Sequence, residues 1–325
     1  MPSSPHQPEA VLRRLEWTVI RRLDGLLQGD YRTLFRGFGL DLADLREYQP
    51  YDDVRYIDWN VTARTQVPHI RVYTEDRELT AWFLLDLSPS VDFGSGDVNK
   101  RQVLTEFTAI LARLLTRRGN KVGAVLFNGI DDFVVPPRAG RRHVLHILEQ
   151  VFSRPRLLRA PQTDLGAFLW RSAQAIKRRS LVFVISDFIS KPGWQKALSL
   201  VGRRHEAVAV RLVDPLDMAL PDLGLLSFQD SETGEQLFVD TTDKRFRRRF
   251  VAEAERTEEA LMAALADAGL DVLELSTGDD LADAILRFAD LRKMQARVSG
   301  GTTVPLRQAG VLAGQPAGRG NRERT

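Results

Sequence analysis

From Leu79 onward the chain keeps one rhythm: a short, largely apolar run followed by a longer amphipathic stretch. The runs are AWFLLDL (81–87), KVGAVLF (121–127), SLVFVIS (180–186), EAVAVRLV (206–213) and LDVLEL (270–275). Strands that are apolar on both sides need cover on both faces of their sheet. The intervening stretches carry apolar residues at helical spacing. In 98–117, for example, Val103, Phe107, Ile110, Leu111 and Leu114 share one face. Helices also fit 140–153, 164–178, 192–203, 243–268 and 279–294. This alternation predicts an α/β fold with a doubly wound, mostly parallel sheet and helices on both faces. Residues 225–240 read as a hairpin around Glu232-Thr-Gly234, inserted into that pattern.

The flanks differ. Residues 9–29 repeat Leu12, Leu15, Val19, Leu23 and Leu26 at helical spacing, so an N-terminal helix is expected within 1–29. Glycines, prolines and acids break up 30–78, where pieces such as His69-Ile-Arg-Val-Tyr73 alternate, and a small β-rich subdomain is expected there. Residues 79–294 hold the repeating α/β pattern, and 295–325 read as a disordered basic tail. That tail accounts for the charge: from Arg292 to Thr325 there are seven basic residues and one acid. The net charge of the whole chain is only +3, which leaves residues 1–291 slightly acidic. A second basic cluster, Lys244–Arg249, has no nucleic-acid motif beside it, and a solvated helix face is the expected reading.

With 43% hydrophobic and 27% charged residues, the chain is neither a fibre nor wholesale disorder. It has no cysteine, which excludes disulfides and thiolate-held metals. No run approaches the ~18 apolar residues of a membrane helix, and the N-terminus lacks signal-peptide features. The expectation is a cytoplasmic protein.

Open parallel sheets bind ligands beyond the C-terminal ends of their strands, near the point where strand order reverses. Two of the apolar runs end in aspartate at that edge, Asp86 and Asp187. Asp86 begins Asp86-Leu-Ser88-Pro-Ser90, which sends a carboxylate and two hydroxyls out of one strand-to-loop turn. Thr163 precedes a predicted helix and faces the same edge. Two carboxylates and three hydroxyls are hard oxygen donors suited to Mg²⁺, with Mn²⁺ or Ca²⁺ as substitutes. With only two formal negative charges, such a site favours a third carboxylate from outside. Each residue also has a plainer role open to it: Asp86 and Thr163 as caps, Asp187 as the start of a turn.

Other chemistries find less support. His143 and His146 stand three apart on a predicted helix with no third ligand in sight. Ser88 has neither the G-x-S-x-G elbow nor a His partner. A haloacid-dehalogenase-type phosphatase needs a second Asp two residues after the first, and that position is Ser88. No Gly-rich phosphate loop occurs. A metal-dependent hydrolase at the same rim, and an anionic-surface binder using the basic segments, remain the alternatives.

The D-x-S-x-S turn, the later Thr and the later Asp resemble the metal-ion-dependent adhesion site of von Willebrand factor A domains. Upstream, Arg46-Glu-Tyr-Gln-Pro-Tyr-Asp-Asp53, Arg55-Tyr-Ile-Asp-Trp59 and Ala63-Arg64 resemble the signature of the bacterial and archaeal family called domain of unknown function 58. Tyr51 stands where that family usually has Gly. The resemblance covers roughly residues 30–290. It implies a von Willebrand factor A-like domain and a non-enzymatic, metal-dependent binding role. In that role Ser88, Ser90 and Thr163 bind Mg²⁺ directly or through water, and Asp86 and Asp187 act from behind them. It further implies a protein partner that donates an Asp or Glu, linked to a MoxR-type AAA+ ATPase. Read physically, Arg46, Asp52, Asp53, Arg55, Asp58 and Arg64 are expected to form ion pairs pinning the β-subdomain to the α/β domain, with a direct partner-binding surface as the alternative. Ile57 and Trp59 are the expected apolar anchors.

Overall fold

The computed structural model describes residues 7–26, 44–50, 52–54, 57–72, 79–157, 162–229, 236–298 and 307–308. Its first elements are helices α1 (Gln7–Leu15) and α2 (Arg21–Leu26), joined by a π-helical stretch over Glu16–Ile20. Next come β1 (Asp44–Glu47), α3 (Trp59–Thr65) and β2 (His69–Val72), with β1 and β2 antiparallel. The repeating part runs β3 (Thr80–Asp86), α4 (Lys100–Arg117), β4 (Lys121–Phe127), β5 (Asp132–Arg138) and α5 (Arg141–Ser153). It continues with α6 (Leu165–Ala175), β6 (Leu181–Ser186), α7 (Trp194–Arg204), β7 (Glu206–Val213) and the single turn α8 (Pro215–Met218). A hairpin of β8 (Leu225–Gln229) and β9 (Gln236–Asp240) precedes α9 (Lys244–Asp267), β10 (Asp271–Ser276), α10 (Leu281–Val298) and β11 (Arg307–Gln308).

The main sheet has the order β11-β10-β7-β6-β3-β4-β5, parallel throughout except for β5. After β3 the chain moves outward to β4 and β5, then returns to the other side of β3 to lay down β6, β7 and β10. The order therefore reverses between β3 and β6, the two strands that carry Asp86 and Asp187 at their C-terminal ends.

Alternation along the strands supplies both faces. Ala81, Phe83 and Leu85 of β3 join the core under α1, α2, α4, α5 and α10. Trp82 and Leu84 join the core under α6, α7 and α9. Just below the site, Phe83 stacks on Phe183 of β6 with ring centroids 5.3 Å apart, and Phe107 of α4 meets Phe183 edge-on. These rings brace the two strands at the reversal, so their C-terminal ends hold a fixed separation. The N-terminal helices are part of the same core. Leu12, Leu15, Ile20 and Leu23 are buried in it, and Arg141 pairs with Glu9 at 2.8 Å while Arg22 pairs with Asp283 at 2.8 Å.

Three expectations are corrected. The segment expected to be β-rich contains the helix α3 between its two strands. The tail expected to be wholly disordered contributes β11, which pairs with β10 at the edge of the sheet. Trp59, expected as an anchor, is 71% exposed at the start of α3, while Ile57 is half-buried and bridged to Ile70. Asp58 is buried and its carboxylate caps α3 by accepting the Val61 N–H. The side chains of Arg46 and Arg55, and Tyr51 as a whole, lie outside the described residues.

Candidate metal centre

Asp86, the last residue of β3, is fully enclosed. One carboxylate oxygen accepts the Ser88 N–H at 3.0 Å and the other accepts the Ser186 hydroxyl at 2.7 Å. The first contact bends the chain directly after the strand. The bend starts a 3-10 turn over Pro89–Asp92, preceded by Ser88, and brings the Ser88 and Ser90 hydroxyls within 3.2 Å of each other. The Asp187 carboxylate accepts the Ile189 N–H at 3.1 Å and lies 3.5 Å from the Lys100 ammonium. Asp86, Ser88, Ser90 and Ser186 thus form one hydrogen-bonded cluster drawn from two neighbouring strand ends, with Asp187 following Ser186 at its side.

Thr163 belongs to a third segment, the loop before α6. Its carbonyl accepts the Lys191 N–H and the Ser190 hydroxyl, each at 2.9 Å, which ties the loop before α6 to the loop after β6. The residue is fully buried. Asp164, not Thr163, caps α6 by accepting the Ala167 N–H at 2.8 Å, so the capping role falls to the neighbouring residue. Asp86 and Asp187 do make the turn contacts open to them, each accepting an N–H two residues on. For Asp86 the Ser186 contact comes in addition.

Backbone strain accompanies the cluster. Phe188, next to Asp187, has φ +60°, a left-handed conformation that costs a non-glycine residue about 1–2 kcal/mol. It is held there by its N–H on the Ser186 hydroxyl at 2.9 Å and by its ring packed 5.3 Å from that of Trp194.

The electrostatics are dominated by two buried carboxyls close to one another. Burial, and after it the charge of Asp187, pushes the Asp86 carboxyl up to about 6. Burial raises Asp187 as well, against the opposing pull of Lys100. A hard divalent cation bound here would relieve both. The donors are carboxylate and hydroxyl oxygens, which fits Mg²⁺ or Mn²⁺. Among the described residues no group of three or more His, Cys, Asp or Glu side chains is placed to hold a metal. A cation here therefore relies on hydroxyls and water. His143 is accounted for otherwise: its Nε2 bonds the Val122 carbonyl at 2.9 Å and burial lowers its pKa.

Three participants carried no signal in the sequence. Ser186 reads as the end of an apolar strand, yet its hydroxyl joins Asp86 to the Phe188 backbone. Lys100 begins α4, where a lysine normally points to water. Here its side chain is 1% exposed, and its ammonium lies 3.5 Å from Asp187 and 2.8 Å from Asp217. Asp217 sits on α8 and belongs to the pattern only through that contact.

Comparison with known proteins follows from this geometry. Residues 44–260 match the family described as "Protein of unknown function DUF58". An uncharacterized protein of Mycobacterium tuberculosis is 36% identical over 287 residues, which cover 88% of this chain and 90% of the relative. The chain belongs to the DUF58 family. Its α/β domain is von Willebrand factor A-like, as the sheet order and the helices on both faces show. Among solved structures, a von Willebrand factor type A protein from Catenulispora acidiphila covers 70% of this DUF58 chain and 44% of its own length, with 11% identity and a TM-score of 0.34. An aerotolerance-related membrane protein from Bacteroides fragilis covers 66% of this chain and 99% of its own, with 15% identity and a TM-score of 0.43. The cytoplasmic placement expected from the sequence is corrected on this point. A membrane protein is among the chains similar to this one, so the lack of a helix long and apolar enough to span a membrane among the described residues does not assign a compartment.

Proposed function

We propose that this DUF58 protein is a non-enzymatic, metal-dependent protein-binding adaptor. One observation supports the reading: Asp86, Ser88, Ser90 and Asp187 are buried at the ends of the two strands between which the strand order reverses, and Thr163 is buried in a loop tied to the segment after Asp187. In this reading Ser88, Ser90 and Thr163 hold Mg²⁺ directly or through water. Asp86 and Asp187 orient those hydroxyls, and an Asp or Glu of the partner supplies the missing negative charge. The cation would turn that carboxylate into a strong and directional contact.

The surroundings support a protein partner. Phe93, Ile130 and Ile189 are exposed apolar side chains on loops at the C-terminal ends of β3, β4 and β6. Exposed apolar side chains such as these can supply the desolvated contacts of a protein–protein interface. The family resemblance suggests that the partner is a MoxR-type AAA+ ATPase or a protein assembled by one.

The test is capture of a candidate MoxR-type ATPase by the purified full chain. Binding is expected with Mg²⁺, and is expected to disappear with EDTA and in the Ser88→Ala/Ser90→Ala double variant. Turnover of phosphoesters that is lost in the same variant would replace the adaptor by a hydrolase. Binding that survives EDTA but falls steeply with salt would shift the role to the basic segments.

A further inference from the structure

Lys100 is in an expensive place. Its side chain is almost completely buried, and it begins α4, at the positive end of that helix's dipole. The local backbone keeps it there: its N–H binds the Phe93 carbonyl at 3.0 Å, closing the loop from the D-x-S-x-S turn into α4. Gly94 permits this closure, since a Cβ on it would stand 2.5 Å from the Asn99 Cα. The ammonium lies 2.8 Å from Asp217, 3.5 Å from Asp187 and 5.8 Å from the centre of the Phe93 ring. Asp217 is itself fixed, because its carboxylate accepts the Asp214 N–H at 2.8 Å in a capping box.

This arrangement sets the charge a cation would meet. Asp86 and Asp187 bring two negative charges to the cluster and Lys100 returns one positive charge beside Asp187. Asp217 draws that positive charge partly away. Resting on the metal-dependent reading above, we infer that Lys100 is the built-in counter-ion of the site, which keeps it assembled without metal and holds divalent-cation affinity low until a partner's carboxylate arrives. Metal and partner then bind in a linked way, each raising the affinity for the other by the same factor.

The inference predicts opposite effects for two neighbouring substitutions, measured by calorimetric titration of the full chain with Mn²⁺ alone. Lys100→Met removes the positive charge while keeping the bulk, and Mn²⁺ should bind about tenfold more tightly or better. Asp217→Asn leaves the ammonium to Asp187, and Mn²⁺ should bind about threefold more weakly or worse. In EDTA Lys100→Met should melt lower than the wild type, and saturating Mn²⁺ should raise its melting temperature by more than it raises the wild type's. Equal or weaker Mn²⁺ binding by Lys100→Met, with binding by the wild type intact, overturns the counter-ion role and leaves the metal reading standing. No Mn²⁺ binding by either protein removes both. Should Lys100→Met fail to fold, Asp217→Asn decides, because unchanged or tighter binding by it overturns the inference.

Discussion

Asp86→Asn should make the protein more stable above pH 6 and, if the proposed metal centre is right, should cost it roughly 10–100-fold in Mn²⁺ affinity. The direction follows from burial. On folding, the Asp86 carboxyl rises from 3.8 to about 6, so the folded chain holds that proton more tightly than the unfolded chain. The resulting stability is complete below about pH 3.8 and is lost as the pH climbs through about 6. Asn stays neutral throughout and keeps the shape. Its oxygen can accept the Ser88 N–H, and its amide can donate to the Ser186 oxygen. The stability difference between variant and wild type should be near zero at the acid end. It should grow to on the order of 1–3 kcal/mol at pH 7.5 in EDTA, since about two pKa units, shared with Asp187, lie behind it. Thermal melts across pH 4–8 and a Mn²⁺ titration check the two halves together. A variant that melts lower than wild type at pH 7.5, or that binds Mn²⁺ equally well, contradicts this account of the centre.

Arg211→Met should cost about 3–5 kcal/mol of unfolding free energy. Arg211 lies on β7 with its guanidinium 2.9 Å from Glu274 of β10 and paired also with Glu258 of α9. All three side chains are largely shielded from water. Taking away the cation leaves two acids facing each other in a poorly solvated space. Methionine restores the volume and none of the charge. Adding Glu258→Gln and Glu274→Gln to the variant should recover most of the loss, because the penalty comes from the stranded charges and not from missing volume. Urea unfolding of the three proteins measures this. A loss below about 1 kcal/mol for Arg211→Met would show that water reaches the network.

How far the sequence could be read depends on whether the deciding interaction is local. The apolar runs at 121–127 and 206–213 become strands with those same limits, because a strand covered on both faces must be apolar along its length. β5 was hidden by Pro136 and Pro137, which only an edge strand tolerates, and β5 is the edge. α3, with Asn60, Val61 and Thr62 in its first turn, has weak helix propensity and forms under the Asp58 cap. Two residues of β11 are too few to leave a pattern. In the centre, Asp86, Ser88 and Ser90 were legible because one turn holds them. Lys100 was not, because its burial depends on Asp187 and Asp217, which lie 87 and 117 positions further along.

The N-terminal helices and α10 carry a consequence for how the protein is handled. The stretch that matches the family model, 44–260, is shorter than the stretch that packs into one core. Leu12, Leu15, Ile20 and Leu23 at one end, and Leu281, Ile285 and Phe288 at the other, fall outside it and together roof one side of the sheet. A fragment trimmed to 44–260 would keep all five candidate ligands but lose three of the five helices over that face, and the apolar residues they cover would meet water. Its stickiness in solution would then be an artefact of trimming and no guide to what the intact molecule captures.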